Sequence, residues 1–186
     1  MALTPSNMLE LGTIAPDFSL PDTVSGTMVR LADVRSDQAT VIMFLCNHCP
    51  YVVHINPEIA RVVADYAPKG VRFVGISSND AEKYPADAPD KMTAHAVEAN
   101  YDFPYLYDES QAVARAYDAA CTPDFYVFNQ DFKLVYRGRL DDSRPRVEQP
   151  KPLTGKDLRE ALDAVLNKEA VNSVQYPSIG CNIKWK

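Results

Sequence analysis

Two cysteines separated by two residues, Cys46-Asn47-His48-Cys49, stand between an apolar run and a proline-led amphipathic stretch. A thiolate at the start of a helix meets unpaired backbone N–H groups and the positive end of the helix dipole. Its pKa falls from about 8.5, in the most extreme such motif to ~3.5. The pair can therefore cycle between dithiol and disulfide. The spacing predicts Cys46 just outside the helix and exposed, with Cys49 inside its first turn. On that placement Cys46 attacks a substrate disulfide and Cys49 resolves the mixed disulfide. His48, when protonated, stabilises a thiolate and makes the pair more oxidising. Asn47 and His48 are candidate substrate-binding residues.

Three other features bear on the chemistry. Cys121 and Cys181 read either as auxiliary thiols, extending a relay or bonding one another, or as small buried hydrophobes. His54 could join Cys46 and Cys49 in a Cys₂His metal site. A second Cys-x-x-Cys is absent, so no structural metal is expected. His54 and Glu58 lie four apart and face alike, which predicts an interaction at the helix surface. His95 reads as an ordinary surface residue.

These groups need a scaffold. Val41 to Leu45 is continuously apolar, as a central strand covered on both faces reads. From Pro50 the apolar residues Val52, Val53, Ile59, Val62, Val63 and Tyr66 fall at helical spacing, with Pro50 suited to the first turn. Pro57, inside the pattern, predicts a kink. Val71 to Ile76 is a second buried strand, making a right-handed parallel βαβ unit. Earlier, Phe18 and Leu20 share one face of a short strand, Ser25-Gly26 turns, and Met28 to Leu31 returns as a hairpin arm. Leu31 to Val34 starts a helical turn.

Later, Asp90 reads as the N-cap of a helix to about Asn100, and Phe103 to Tyr107 is extended. Ser110 reads as the cap of a short helix through Tyr117. Asp124 to Phe128 and Lys133 to Arg137 form an antiparallel pair around Asn129-Gln130-Asp131. Thr154 reads as the cap of a final amphipathic helix bearing Leu158, Leu162, Val165 and Leu166. The order β-α-β-α, then β-β-α, is that of an α/β thioredoxin-like fold, a central mixed sheet flanked by helices with an N-terminal hairpin added. The expected division is a domain over 8–168 and a C-terminal tail over 169–186, which has no clear periodicity.

At 186 residues the chain suits one domain with a proper core. Hydrophobic residues at 46% and charged residues at 24% are the profile of a soluble globular protein. The net charge of −6 argues against nucleic acid and anionic membrane as partners. No apolar run approaches the roughly 20 residues of a membrane helix. The first eight residues lack a basic stretch followed by an apolar one, so a cytoplasmic location is expected. In a reducing compartment a close cysteine pair reads as catalytic rather than structural.

Three segments carry a family resemblance: Gly12-x-x-Ala15-Pro16-x-Phe18-x-Leu20, Cys46-Asn47-His48-Cys49-Pro50-Tyr51-Val52, and Thr122-Pro123-Asp124-Phe125. With them the chain resembles the thioredoxin-like, peroxiredoxin-like proteins of the alkyl hydroperoxide reductase/thiol-specific antioxidant group. The tail segment Ser178-Ile179-Gly180-Cys181-Asn182-Ile183-Lys184-Trp185 resembles the ending of a peroxiredoxin-like subgroup.

The resemblance implies a thiol-disulfide oxidoreductase with an antioxidant role, or a thiol-dependent peroxidase, with no cofactor. Its partners would be a thioredoxin- or glutathione-type reductant and a disulfide or peroxide substrate. It also implies a cis bond at Thr122-Pro123, turning the Thr122 backbone toward substrate and making both residues candidate substrate contacts. The sequence departs from the family in two ways. The peroxidatic Pro-x-x-x-Thr/Ser-x-x-Cys motif is not restored with either Cys46 or Cys49 in the cysteine slot, and no arginine lies near Cys121 to Phe125. The acid that thioredoxins carry on the strand before the pair is missing from Ala39 to Leu45, so Glu58 or a water is expected to substitute.

Overall fold

The computed structural model describes residues 3–186; Met1 and Ala2, part of the N-terminal stretch read for a leader, lie outside the described residues. The chain opens with β1 (Leu3–Pro5) and the hairpin β2 (Ser19–Pro21) and β3 (Met28–Arg30), followed by a 3-10 turn at Leu31–Val34. Strand β4 (Ala39–Phe44) leads to helix α1 (Pro50–Tyr66), then β5 (Arg72–Ser77), α2 (Pro89–Glu98) and β6 (Tyr105–Tyr107). After α3 (Ala112–Ala116) come β7 (Cys121–Thr122), β8 (Asp124–Asn129) and β9 (Leu134–Gly138). Helix α4 (Lys156–Leu166) and β10 (Ile179–Asn182) complete the chain. No helix among the described residues is long and apolar enough to cross a membrane.

The central sheet has the order β6-β5-β4-β8-β9. β4 pairs in parallel with β5 and antiparallel with β8, so the sheet is mixed. Every residue of β4 is buried, which explains why its sequence is apolar without alternation. Val41 and Met43 face α1 and α4 together with Val52, Ile59, Leu158 and Leu162. Ile42 and Phe44 face the opposite core of Phe18, Tyr117, Tyr126 and Phe128. Burying each such side chain contributes roughly 1.5–3 kcal/mol relative to leaving it exposed. The thioredoxin-like α/β architecture and the N-terminal hairpin agree with the sequence reading.

Local capping differs from expectation. α1 runs on past Pro57, which sits on the exposed side where water can hydrate the Val53 carbonyl. α2 begins at Pro89 with Ala88 as its N-cap, because Pro89 is suited to the first helical position; Asp90 falls one residue inside. At α3, Ser110 Oγ accepts the Ala112 N–H, while the deeper Ala114 N–H goes to buried Asp108. At α4 the N-cap is Gly155, at φ +65°, and Asp141 accepts both the Thr154 and Gly155 N–H groups.

A second sheet makes the site possible. β10 lies between β1 and β7, antiparallel to both, with Cys181 opposite Leu3 on one side and Thr122 on the other. The aperiodic tail is thus built into the molecule. Gly180 allows it: a Cβ there would collide with the Thr122 carbonyl. Gly138, at φ +127°, gives way in the same manner to the Tyr176 carbonyl.

Candidate active site

β4 delivers Cys46 at its C-terminal end, and Cys49 is the N-cap residue of α1, with Pro50 next. The Val52 and Val53 N–H groups turn back to the Cys49 carbonyl, so the helix starts directly beneath the sulfur. The Thr122–Pro123 peptide bond is cis, as the resemblance implies. Thr122 sits across both thiols: its Oγ1 is 3.2 Å from Cys46 Sγ and its carbonyl oxygen is 3.4 Å from Cys49 Sγ.

The expected exposure of Cys46 is corrected. Cys46 and Cys49 are 1% and 0% exposed, because Thr122 and the tail strand cover them. The expected electrostatics reverse as well. Cys49 is lowered to about 5, first by the hydrogen bond it accepts from Cys46, against burial, with help from Cys181 and the Val52 N–H. Cys46 is held well above the ordinary thiol range by that same hydrogen bond, by burial and by the charge of Asp87. The thiolate therefore falls to Cys49, held first by the Cys46 hydrogen bond, with the Val52 N–H of the helix start as a smaller contribution.

Asp87 is the buried acid that β4 lacks. It arrives on a 3-10 turn (Pro85–Asp87) in the segment between β5 and α2 and has no exposed surface. Its oxygens accept the Asn47 N–H at 2.8 Å and Asn79 Nδ2 at 2.7 Å, and His48 Nδ1 lies 2.7 Å from Oδ2. Burial opposes its charge, but His48, Asn79 and the Asn47 N–H outweigh that and lower its pKa. His48 in turn is raised, first by its contact with Asp87. Its ring stacks parallel to Tyr84, 5.9 Å between centroids. Asn47 turns its side chain inward, donating to the Ala86 carbonyl and accepting the Tyr105 hydroxyl.

Glu58 does not substitute for the missing acid. It is buried against Arg159, which donates to it at 2.8 and 3.0 Å, and it also holds Arg61. His54 makes no hydrogen bond or ion pair with it; His54 Nε2 is 3.2 Å from Ser143 Oγ on a neighbouring loop. That also corrects the Cys46–Cys49–His54 metal set. Among the described residues, the group of potential ligands the fold assembles is Cys46, His48 and Asp87, with ligand atoms within 4.8 Å of one another. Asp87 accepts one hydrogen bond at each oxygen, from the Asn47 N–H and Asn79 Nδ2, and faces His48 as well. His95 is half-buried rather than a plain surface residue, facing Asn56 and the edge of Tyr101, and burial lowers its pKa.

The two remaining cysteines part company. Cys181 Sγ lies 2.6 Å from Cys49 Sγ. Burial and the hydrogen bond with Cys49 push Cys181 up to about 12. Cys121 precedes Thr122 on β7, and side chains alternate along a strand, so it points away from the thiols. Its sulfur is 3.9 Å from the Pro123 carbonyl, in a setting whose burial raises its pKa. All four cysteines are thiols in this structure.

The AhpC/TSA family model matches residues 11–137, about two thirds of the chain. The chain belongs to the AhpC/TSA family. A crystal structure from Geobacillus kaustophilus, described as an uncharacterized conserved protein, superposes with a TM-score of 0.96 at 58% identity, covering 100% of this chain and 97% of that one. A hypothetical protein from Sinorhizobium meliloti 1021 gives 0.94 at 46% identity, covering 98% of both chains. At 16% identity, the thioredoxin domain of a thiol-disulfide oxidoreductase from Bacteroides vulgatus shares the fold, with a TM-score of 0.61, covering 81% of this chain and 96% of that one. No curated protein matches the chain. Membership of the AhpC/TSA family, with paired thiols at a helix N-terminus, supports thiol redox chemistry as the class of function.

Proposed function

We propose that this protein is a thiol-disulfide oxidoreductase that cycles Cys46 and Cys49 between dithiol and disulfide, needing no cofactor beyond an external thiol reductant. The observation that carries this reading is Thr122 lying across both sulfurs, next to a cis proline and at the N-terminus of α1. In this reading the Cys49 thiolate attacks one sulfur of the substrate disulfide, whose other sulfur leaves as a thiolate. Cys46, its proton passing to the Asp87–His48 pair or to water, then attacks Cys49 Sγ and releases the second substrate thiol. A thioredoxin- or glutathione-type thiol returns the pair to the reduced state, which suits a reducing cytoplasmic setting. Asn47, His48, Thr122 and Pro123 shape the approach to the sulfurs. Reduction of a model disulfide by single-cysteine variants tests this. Cys49→Ser should abolish it, and a Cys49→Ser variant as fast as wild type removes the reading.

A second reading has its own support. A thiolate with no exposed surface admits a small oxidant more readily than a polypeptide. Thr122 also supplies a hydroxyl beside the pair, which the motif around Cys46 lacks. Attack by Cys49 on a hydroperoxide would give a Cys49 sulfenic acid and release an alcohol. In a Cys46→Ser, Cys181→Ser background that sulfenic acid should accumulate. Peroxide consumption no faster than that of an ordinary free thiol removes this second reading.

A further inference from the structure

Cys181 has a geometry that packing alone does not require. β10 is threaded between two strands, and Gly180 lets its backbone press against Thr122. Cys181 is the residue paired opposite Thr122, so its sulfur comes to rest 2.6 Å from Cys49 Sγ. That is about 0.5 Å beyond a disulfide bond length. Cys181, itself 2% exposed, also borders a cavity of about 420 Å³, together with Pro50, Tyr51, Arg146 and Gly180. Cys46 and Cys49 do not line that cavity.

We propose that Cys181 is the third member of a redox relay, Cys46–Cys49–Cys181, and the sulfur through which a small external thiol enters the site. The inference rests on the Cys46–Cys49 couple proposed above. With that couple oxidised, Cys49 no longer carries the hydrogen bond and charge that help hold Cys181 protonated, and Cys181 gives up its proton as its sulfur attacks Cys49 Sγ. The Cys49–Cys181 bond forms, the Cys46–Cys49 bond breaks, and Cys46 leaves as a thiolate that takes up the proton Cys181 released. No electrons enter or leave in this step. A small thiol in the cavity then attacks Cys181, forming a mixed disulfide and releasing Cys49 as a thiolate. A second molecule of that thiol attacks the mixed disulfide, leaving with the first as a small-molecule disulfide and returning Cys181 to a thiol. Arg146, an exposed residue of the cavity lining, favours an anionic thiol, of the glutathione kind. Cys121, on the opposite side of β7, takes no part.

The test is disulfide mapping of the full chain by mass spectrometry after oxidation with one equivalent of an azo thiol oxidant and alkylation of remaining thiols. Wild type should yield peptides cross-linked Cys46–Cys49 and peptides cross-linked Cys49–Cys181. Cys46→Ser should convert almost wholly to the Cys49–Cys181 linkage, Cys181→Ser should show only Cys46–Cys49, and Cys121→Ser should match wild type. Glutathione added to oxidised Cys46→Ser should give a transient adduct on Cys181. Wild type that forms Cys46–Cys49 without a trace of Cys49–Cys181, alongside a Cys46→Ser variant that forms no such intramolecular bond, overturns the relay and leaves the couple standing. Wild type that never forms Cys46–Cys49 overturns the couple itself, and the relay with it.

Discussion

His48 Nδ1 lies 2.7 Å from Asp87 Oδ2, beside the redox pair and with Asp87 wholly buried. The two groups shift in opposite senses: His48 is raised and Asp87 lowered. A raised histidine contributes stability that is complete below its unfolded pKa of about 6.5 and is lost as pH rises through the folded value. A lowered aspartate contributes stability that is complete above about 3.9 and is lost as pH falls through the folded value. The pair therefore stabilises fully between about pH 4 and about pH 6.5. Urea unfolding should show wild type ahead of His48→Gln by about 1 kcal/mol more at about pH 6 than at about pH 9. A difference independent of pH would mean the pair is not ionised.

Cys49, lowered to about 5, supports a second prediction. Ultraviolet absorbance of the thiolate should titrate with a midpoint near 5 in wild type. In Cys49→Ser that transition should vanish, and no thiolate should form until about pH 8 or above. The sign of the linkage is opposite to that of His48. Stability from this thiolate is complete above an unfolded pKa of about 8.5 and is lost as pH falls through the folded value. A thiolate that survives Cys49→Ser with the same midpoint would move the charge to another sulfur.

Gly180→Ala tests the close approach of the tail. The added Cβ collides with the Thr122 carbonyl and presses on Pro123. The expected cost is about 1–3 kcal/mol in unfolding free energy, as for overpacking. Because relief comes by displacing β10, alkylation of Cys49 should also speed up severalfold. Unchanged stability with unchanged alkylation would show that the strand has room to spare.

Glu58→Ala tests the acid that sequence reading placed in the chemistry. Glu58 holds Arg159 of α4 against α1, with Arg159 reaching on to Asp65 at 2.7 Å. Its removal should cost about 2–3 kcal/mol, below the range for fully buried pairs because Arg159 is partly exposed. Disulfide reduction by the variant that remains folded should match wild type. A fall in rate without loss of stability would return Glu58 to the proton path.

The sequence was informative where the signal is local. Val41 to Leu45 reads as a doubly covered strand because both faces are apolar, and Pro50 marks the start of α1 through its missing N–H. Cys46 and Cys49 follow from those two. Their burial and relative acidity do not, since both depend on Thr122 and on Cys181 closing over them. Asp87 leaves no trace in the pattern: it sits in a proline-bearing loop without periodicity, and its role comes from where that loop folds back. Cys181 was visible as a residue, but its partner was set by long-range pairing that an irregular tail does not encode. Asp90 shows the limit of capping rules, for Pro89 at the first helical position outweighed a good capping side chain one residue later.

The tail strand also makes the site a latecomer in folding. β10 joins β1 and β7, partners far apart in the chain, so its docking closes long loops and forms after the local βαβ contacts. Until then Cys46 and Cys49 are open to solvent, and any oxidant meets them without Cys181 alongside. The rate at which Cys49 loses its reactivity toward an alkylating agent during refolding is therefore a clock for completion of the native structure.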